Sequence, residues 1–371
     1  MKYKKLLIGL TYYHPNVSGL SNYAKILAES LSSKYEITII SSRFNKNLKK
    51  REIDGNIKII RSPGFKSGKG IIMPFYIFDA FLAVIKNDII NIHLPSIESF
   101  WLAFFSKIFN KKIIITYHCH FESKNKFLEK IIELTHNSVL KKADKIVVNS
   151  IDYIEGNKLL INFRDKLIEI YPPIINKEIT TTEKEEIESK LKNTNKVKII
   201  GFLGRISEEK NIETLIKTIP FLEKKIDDFK IVLAGADNVI GEEKYIKKIN
   251  GLVKKYSKRI IKIGKIDNPK SFYKKCDCLV LPSVGKLESF GMVQAEAMIC
   301  GIATICCDLP GIRVPIQVSG FGKLFKPSNA FDLSQKIIEV LKNGKKRTVD
   351  KQILDLFDYK KTIYKYEDLF N

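Results

Sequence analysis

The chain has 371 residues, 44% hydrophobic and 28% charged, long enough for two domains with buried cores and too apolar for a disordered segment. Lys and Arg (64) outnumber Asp and Glu (41) for a net charge of +23, which attracts nucleotides, anionic lipid or nucleic acid, although a composition bias toward Lys and Ile explains it equally well. No uncharged apolar run of about 18 residues occurs, so no transmembrane helix is expected, and six scattered cysteines without a C-x-x-C pair signal neither a zinc framework nor a disulfide scaffold.

The opening "MKYKKLLIGLTYYHP" has an apolar run too short for a signal peptide, so it reads as the first strand of a cytoplasmic protein. Next comes "SNYAKILAESLSS", with Tyr23, Ile26, Leu27 and Leu31 at helical spacing. Then "YEITIIS", "NIKIIRS", "DIINIHL", "KKIIITYH" and "DKIVVNS" read as strands separated by helical stretches. They are rich in Ile and Val without clean alternation, as expected of parallel strands buried on both faces. Pro172 and Pro173 interrupt the pattern, and a polar stretch follows, "TTTEKEEIESKLKNTNK". The theme then restarts with "VKIIGFLGR", "FKIVLAG", "IIKIGKI", "CLVLPS" and "ATICCD". Two sets of strand–helix units joined by a Pro-rich hinge predict two Rossmann-like, doubly wound α/β domains facing a cleft. The expected boundaries are residues 1–173 and 174–349, with a C-terminal helix at about 350–371 returning to the first domain through Phe357, Ile363, Tyr364 and Phe370.

Ligands of such sheets bind outside the carboxyl ends of the strands, where three stretches fall. In "NVSGLSNYAKILAESL", Gly19 opens a helix whose N-terminus favours an anion, without the G-x-G-x-x-G dinucleotide pattern. In "GFLGRISEEKN", Arg205 and Lys210 set a forked guanidinium and an ammonium at one strand end, which suits a diphosphate; they also read as two surface cations among many. In "ESFGMVQAE", Glu288 lies in a loop and Glu296 in the second turn of a helix starting near Phe290 or Gly291, where Gly291 leaves backbone N–H groups open to a phosphate. The plainer reading is that Glu288 caps this helix and Glu296 is solvated.

These stretches, with "IIITYHCHFE" and "AMICGIATICCDLPGIRVP", occur in one order along almost the whole chain. The sequence resembles the retaining, nucleotide-sugar-dependent glycosyltransferases of family four, which have the GT-B fold and an E-x7-E motif. The first loop carries Ser18-Gly19 where many members have two glycines, and Arg313 stands where many have an acid. The resemblance implies that Glu288 contacts donor-sugar hydroxyls and Glu296 the ribose, and that Arg205, Lys210, Gly19 and the amides near Phe290 and Gly291 clamp the diphosphate. Ser289 and Met292 join the donor-binding stretch, Gly235 and Lys265 are candidates for the base edge, and His118 lies beside the reacting sugar. The implied donor is a UDP- or GDP-sugar, with no cofactor and no metal; a metal site at His118, Cys119, His120 and Glu122 is disfavoured because these residues are too close in sequence to wrap one ion.

Between Arg43 and Lys69, nine basic residues face only Glu52 and Asp54, and apolar "GIIMPFYIFDAFLAVIK" and "SFWLAFFSKIF" follow. These read either as a solvated loop with two core helices or as a face that meets an anionic membrane. The expected partners are the nucleotide-sugar, a glycan or lipid-linked acceptor and the inner face of the cell membrane. The alternatives are a nucleotide-sugar epimerase or other GT-B enzyme and, in another class, a basic nucleic-acid-binding protein. The last is not expected, because the aromatics fall in apolar helices instead of interleaving with the basic residues.

Overall fold

The computed structural model describes residues 3–67, 70–122, 125–192, 194, 197–239, 241–342 and 349–371. The chain folds as two units, Met1–Pro173 with Tyr359–Asn371, and Ile174–Asp358.

The first unit contains β1 (Lys4–Gly9), α1 (Gly19–Leu31), β2 (Tyr35–Arg43), β3 (Arg51–Asp54), β4 (Ile57–Pro63), the hairpin β5 (Phe65–Ser67) and β6 (Gly70–Ile72), and α2 (Tyr76–Ile85). It continues through β7 (Ile89–Leu94), α3 (Ser99–Ile108), β8 (Lys112–Tyr117), α4 (Lys126–Lys142), β9 (Lys145–Val148), α5 (Lys158–Ile161) and β10 (Leu167–Glu169). Its sheet runs β10-β9-β8-β7-β1-β2-β4-β3 and is parallel except for β3, which pairs antiparallel with β4. Alternate side chains serve opposite faces. Leu7 joins a core with Ala80 of α2, Leu102 of α3 and Val139 of α4, while Leu6 and Ile8 join a second with Tyr23 and Leu27 of α1. β7 is buried along its whole length, its polar Asn91 and His93 included, as expected of a central strand covered on both faces.

The second unit contains α6 (Thr181–Lys190), β11 (Lys198–Leu203), α7 (Ile212–Ile216), α8 (Ile219–Leu222), β12 (Phe229–Ala234), α9 (Glu243–Lys255), β13 (Ile260–Gly264) and α10 (Pro269–Tyr273). After these come β14 (Cys278–Leu281), α11 (Met292–Met298), β15 (Thr304–Cys307), α12 (Val314–Ser319), β16 (Gly322–Phe325), α13 (Ala330–Lys342) and α14 (Lys351–Leu356). Its sheet is wholly parallel, in the order β13-β12-β11-β14-β15-β16. The order reverses between β11 and β14, and ligands of such sheets bind at the carboxyl ends of the strands at a reversal of this kind.

The last helix, α15 (Tyr359–Phe370), belongs to the first unit. Tyr366 is within 2.9 Å of the Tyr23 hydroxyl and of Thr116 Oγ1, Thr362 donates to the carbonyl of Tyr171 at 2.8 Å, and Lys34 pairs with Glu367. The return starts later than the expected residue 350, because α14 and Phe357 stay with the second unit. Phe357 meets Phe290 edge-on there, and Tyr364, expected on the apolar side of α15, is 72% exposed; Ile363, Tyr366 and Phe370 form that side.

Candidate functional site

In the second unit, β11 ends at Leu203, and the chain turns through Gly204 and Arg205 into a short helical turn, Glu208–Lys210. A Cβ on Gly204 would lie in ordinary contact with Lys210 Cε, at 3.7 Å, so the lysine stem runs beside this strand end. The loop after β14 meets this turn from across the reversal point, with the Val284 amide donating to the Glu209 carbonyl at 2.9 Å. There Lys210 pairs with Glu288, and the other Glu288 oxygen accepts the Gly291 amide at 3.1 Å. Both partners are largely withdrawn from water, at 17% and 21% side-chain exposure, so the pair is screened less than a surface one. Arg205 is 59% exposed and is paired with Glu209 at 3.1 Å. Two of the three stretches thus converge: an ammonium, a guanidinium and a carboxylate stand on adjacent loops at the place where the strand order reverses.

One expectation is corrected here. Gly291, with φ +75°, is the N-cap of α11, but its N–H is spent on Glu288 instead of lying open to an anion. A side chain at this position would also meet Gln294 Nε2 at 2.5 Å and Leu281 Cδ2 at 2.8 Å. Ser289 and Phe290 are buried, and Phe290 packs against Phe357, so they shape the loop; Met292 is partly exposed at the first turn of α11.

Glu296 lies in α11 and accepts the Tyr273 hydroxyl of α10 at 2.7 Å. Burial raises its carboxyl above the usual range, opposed by the Tyr273 hydrogen bond. It is therefore a partly buried group with a structural partner, not a solvated one. Gly235 follows β12 with φ +132°; its amide donates to the Gly264 carbonyl at 2.8 Å, and the Gly204 carbonyl occupies the space a Cβ would take. Lys265, after β13, is 64% exposed and 4.0 Å from Asp267.

In the first unit, Ser18 caps α1, accepting the Ser21 amide at 3.1 Å, and Gly19 is the first helical residue. His118 directly follows β8 and is buried, its Nε2 2.9 Å from Nδ1 of His93. The Tyr23 ring stands edge-on at 4.9 Å, and burial pushes the His118 imidazole down to about 3. His93, read as a strand residue, is thus in contact with a candidate site residue. Among the described residues no group of three or more His, Cys, Asp or Glu side chains is arranged to hold a metal ion.

The basic stretch is not uniformly a surface. Arg61 is 4% exposed, bonded to Glu52 and to the His14 carbonyl. Lys69 and the side chain of Lys66 lie outside the described residues. An open pocket of about 790 Å³, lined by Lys5, Lys49, Arg51, Lys58 and Lys86 among others, lies by the amino ends of β1, β2 and β4, away from the strand ends that carry His118 and Gly19. The helices α2 and α3 bury Ala80, Ala83, Leu102 and Ala103 yet expose Phe78 (65%) and Ile108 (57%). Neither is a fully buried core helix. No described helix is long and apolar enough to cross a membrane.

The model of Glycosyltransferase Family 4 matches residues 17–176, and that of Glycosyl transferases group 1 matches residues 183–352. The chain is 34% identical to an uncharacterised glycosyltransferase of Methanocaldococcus jannaschii over 210 residues, 55% of this chain and 52% of that protein. It is 27% identical to the phosphatidyl-myo-inositol mannosyltransferase of Mycobacterium leprae over 149 residues, 39% of this chain and 38% of that protein. The chain thus spans about half or less of the length of these curated relatives. The crystal structure of Anabaena HepE in complex with UDP superposes with a TM-score of 0.76 over 99% of both chains at 16% identity, a likeness of fold alone. With two parallel-sheet α/β units and a family model on each, the chain belongs to the family-four glycosyltransferases of the GT-B fold.

Proposed function

We propose that the enzyme transfers a hexose, with retention at the anomeric carbon, from a UDP- or GDP-sugar to a cell-envelope glycan or a lipid-linked acceptor. The observation that carries this reading is the meeting of Arg205, Lys210 and Glu288 at the strand-order reversal of the second unit. Arg205 and Lys210 are assigned to the diphosphate, whose charge grows as the bond from the anomeric carbon to the phosphate oxygen breaks. Their two positive charges do the work that a divalent cation does elsewhere. Glu288 is assigned to hydroxyls of the departing sugar, Glu296 to the ribose, and His118 to another sugar hydroxyl. The acceptor oxygen attacks from the face the phosphate leaves, and its proton passes to the departing phosphate oxygen. HepE, crystallised with UDP, and the mannosyltransferase of M. leprae, which by name acts on a phosphatidyl-inositol, support the donor and acceptor classes.

The test is a screen of UDP- and GDP-sugars for release of the nucleoside diphosphate in the presence of a lipid-phosphate acceptor. One donor should be consumed with inversion-free product stereochemistry. An inverted anomer or an epimerised free donor would overturn the reading.

Glu296→Gln isolates the ribose contact, because glutamine still accepts the Tyr273 hydroxyl and so preserves the packing of α10 on α11. The variant should melt as the parent does and raise the donor KM about tenfold, with kcat little changed, as loss of uniform binding requires. An unaltered KM would remove Glu296 from the donor site.

We assign the exposed apolar residues of α2, α3 and α4, which include Phe78, Ile108, Phe127 (75% exposed) and Leu134 (61%), to contact with an anionic membrane. Lys49, Arg51 and Lys86, which line one pocket with Leu82 and Ala83 of α2, would supply attraction of about 1 kcal/mol each at such a surface. Phe78→Asp with Phe127→Asp should reduce flotation with anionic vesicles and leave turnover of a water-soluble acceptor intact. Undiminished flotation of the double variant would remove this face from the account.

A further inference from the structure

Behind His118 the first unit carries a buried hydrogen-bonded chain that the reaction described above does not use. His118 Nε2 lies 2.9 Å from His93 Nδ1, and His93 Nε2 lies 2.8 Å from Asn91 Oδ1. The Asn91 amide nitrogen reaches the Ile114 carbonyl at 3.2 Å and Thr116 Oγ1 at 3.0 Å. Asn91, His93 and Thr116 are fully buried, so each polar atom must find its partner within the protein.

The proton positions follow from one end of this chain. The Ile114 carbonyl can only accept, so the side of Asn91 that faces it must be the NH2 group; the opposite orientation would set two acceptors against each other. Oδ1 of Asn91 then faces His93 and accepts, which puts a proton on His93 Nε2. Burial and the neighbouring His118 hold the His93 imidazole well below its ordinary range, so it is neutral and its Nδ1 is an acceptor. The hydrogen bond between the two rings can then be donated only by His118 Nε2. Nδ1 of His118 is left with a lone pair, and no side chain or backbone group among the described residues is bonded to it.

We propose that Asn91 and His93 are positioning residues that hold His118 as the neutral Nε2–H tautomer and present its Nδ1 as an acceptor for a substrate hydroxyl. Such a nitrogen recognises an O–H donor, as a sugar provides, and cannot donate to a phosphate oxygen. The tautomer follows from the geometry within the first unit; the identity of the hydroxyl rests on the functional reading above, in which His118 meets the transferred sugar. Five histidines in the chain make the state directly readable.

The experiment is long-range 1H–15N correlation spectroscopy at pH 7 on protein labelled with 15N-histidine, with the His118 signals assigned by their loss in His118→Ala. The wild type should show His118 with Nε2 protonated and Nδ1 bare. His93→Phe should give a mixture of the two tautomers and lower kcat/KM for transfer about fivefold, the worth of one neutral hydrogen bond. His93→Asn, which restores an acceptor near the Nδ1 position, should recover most of that loss. A wild-type His118 protonated on Nδ1, or a tautomer ratio unchanged in His93→Phe, overturns the proposal even if a variant folds poorly or is inactive. If the tautomer is as stated but His118→Ala transfers sugar normally, the relay stands and the assignment of His118 to the sugar fails.

Discussion

Replacing Glu288 by Ala should lower kcat by on the order of 10²-fold while leaving affinity for the free nucleoside diphosphate equal or higher. A carboxylate that holds hydroxyls of a sugar changing shape and charge contributes most at the transition state, so its loss appears in kcat rather than KM. One charge-assisted hydrogen bond is worth about 1.5–3 kcal/mol, and the upper part of that range gives the factor stated. The direction of the nucleotide effect comes from the structure. Lys210 is paired with Glu288, so removing the carboxylate frees the ammonium for a diphosphate. The Gly291 amide also loses its acceptor, which should cost about 1 kcal/mol of stability, too little to unfold the domain. Steady-state kinetics with calorimetric titration of the nucleotide checks both parts. Weakened nucleotide binding with unchanged kcat would reassign Glu288 from the sugar to the nucleotide.

Gly235→Ala should destabilise the second unit by about 3 kcal/mol or more, lowering its Tm by roughly 6–12 °C. A Cβ at this position would lie 1.9 Å from the Gly204 carbonyl oxygen and 2.6 Å from its carbon, both backbone atoms that cannot swing aside. The φ of +132° adds backbone strain for any L side chain. Relief requires the ends of β11 and β12 to part, and Gly204 and Arg205 would move with them. Stability loss should therefore come with weaker diphosphate binding. If the variant melts normally and loses only its preference among nucleobases, Gly235 is a base contact, as its position after "IVLA" suggests, and not a packing residue.

The two parallel sheets are legible because their central strands are buried on both faces. Runs such as "IINIHL" and "CLVL" need no alternation to be recognised. Three of the four edges are not legible: β3 is the charged, mostly exposed "REID", β10 and β16 are short and only partly buried, and none has an apolar run; the fourth, β13, is legible from "IIKIG". The helix α6 hides for a related reason. It buries only Ile187, so no apolar stripe marks it, although the reciprocal hydrogen bonds of Thr180 and Glu183 leave a T-x-x-E signature. At the candidate site, motif order shows that Lys210 and Glu288 lie near strand ends. Their pairing across 78 positions depends on β11 and β14 being neighbours, which one sequence does not display. Asn91 and His93 look like interior strand residues, and nothing local distinguishes them. Their role depends on β8 lying beside β7 in a register that opposes His93 to Thr116.

The proposed function requires the strand-order reversal of the second unit to hold a nucleoside diphosphate between Arg205 and Lys210. It is tested most directly by isothermal titration of UDP and GDP into the wild type and into Arg205→Ala with Lys210→Ala. One nucleotide should bind the wild type, and the double variant should bind it at least about 100-fold more weakly, as loss of two charge-assisted contacts requires. Equal binding by both proteins, or no binding of either nucleotide alongside salt-sensitive retention on DNA, would contradict the account.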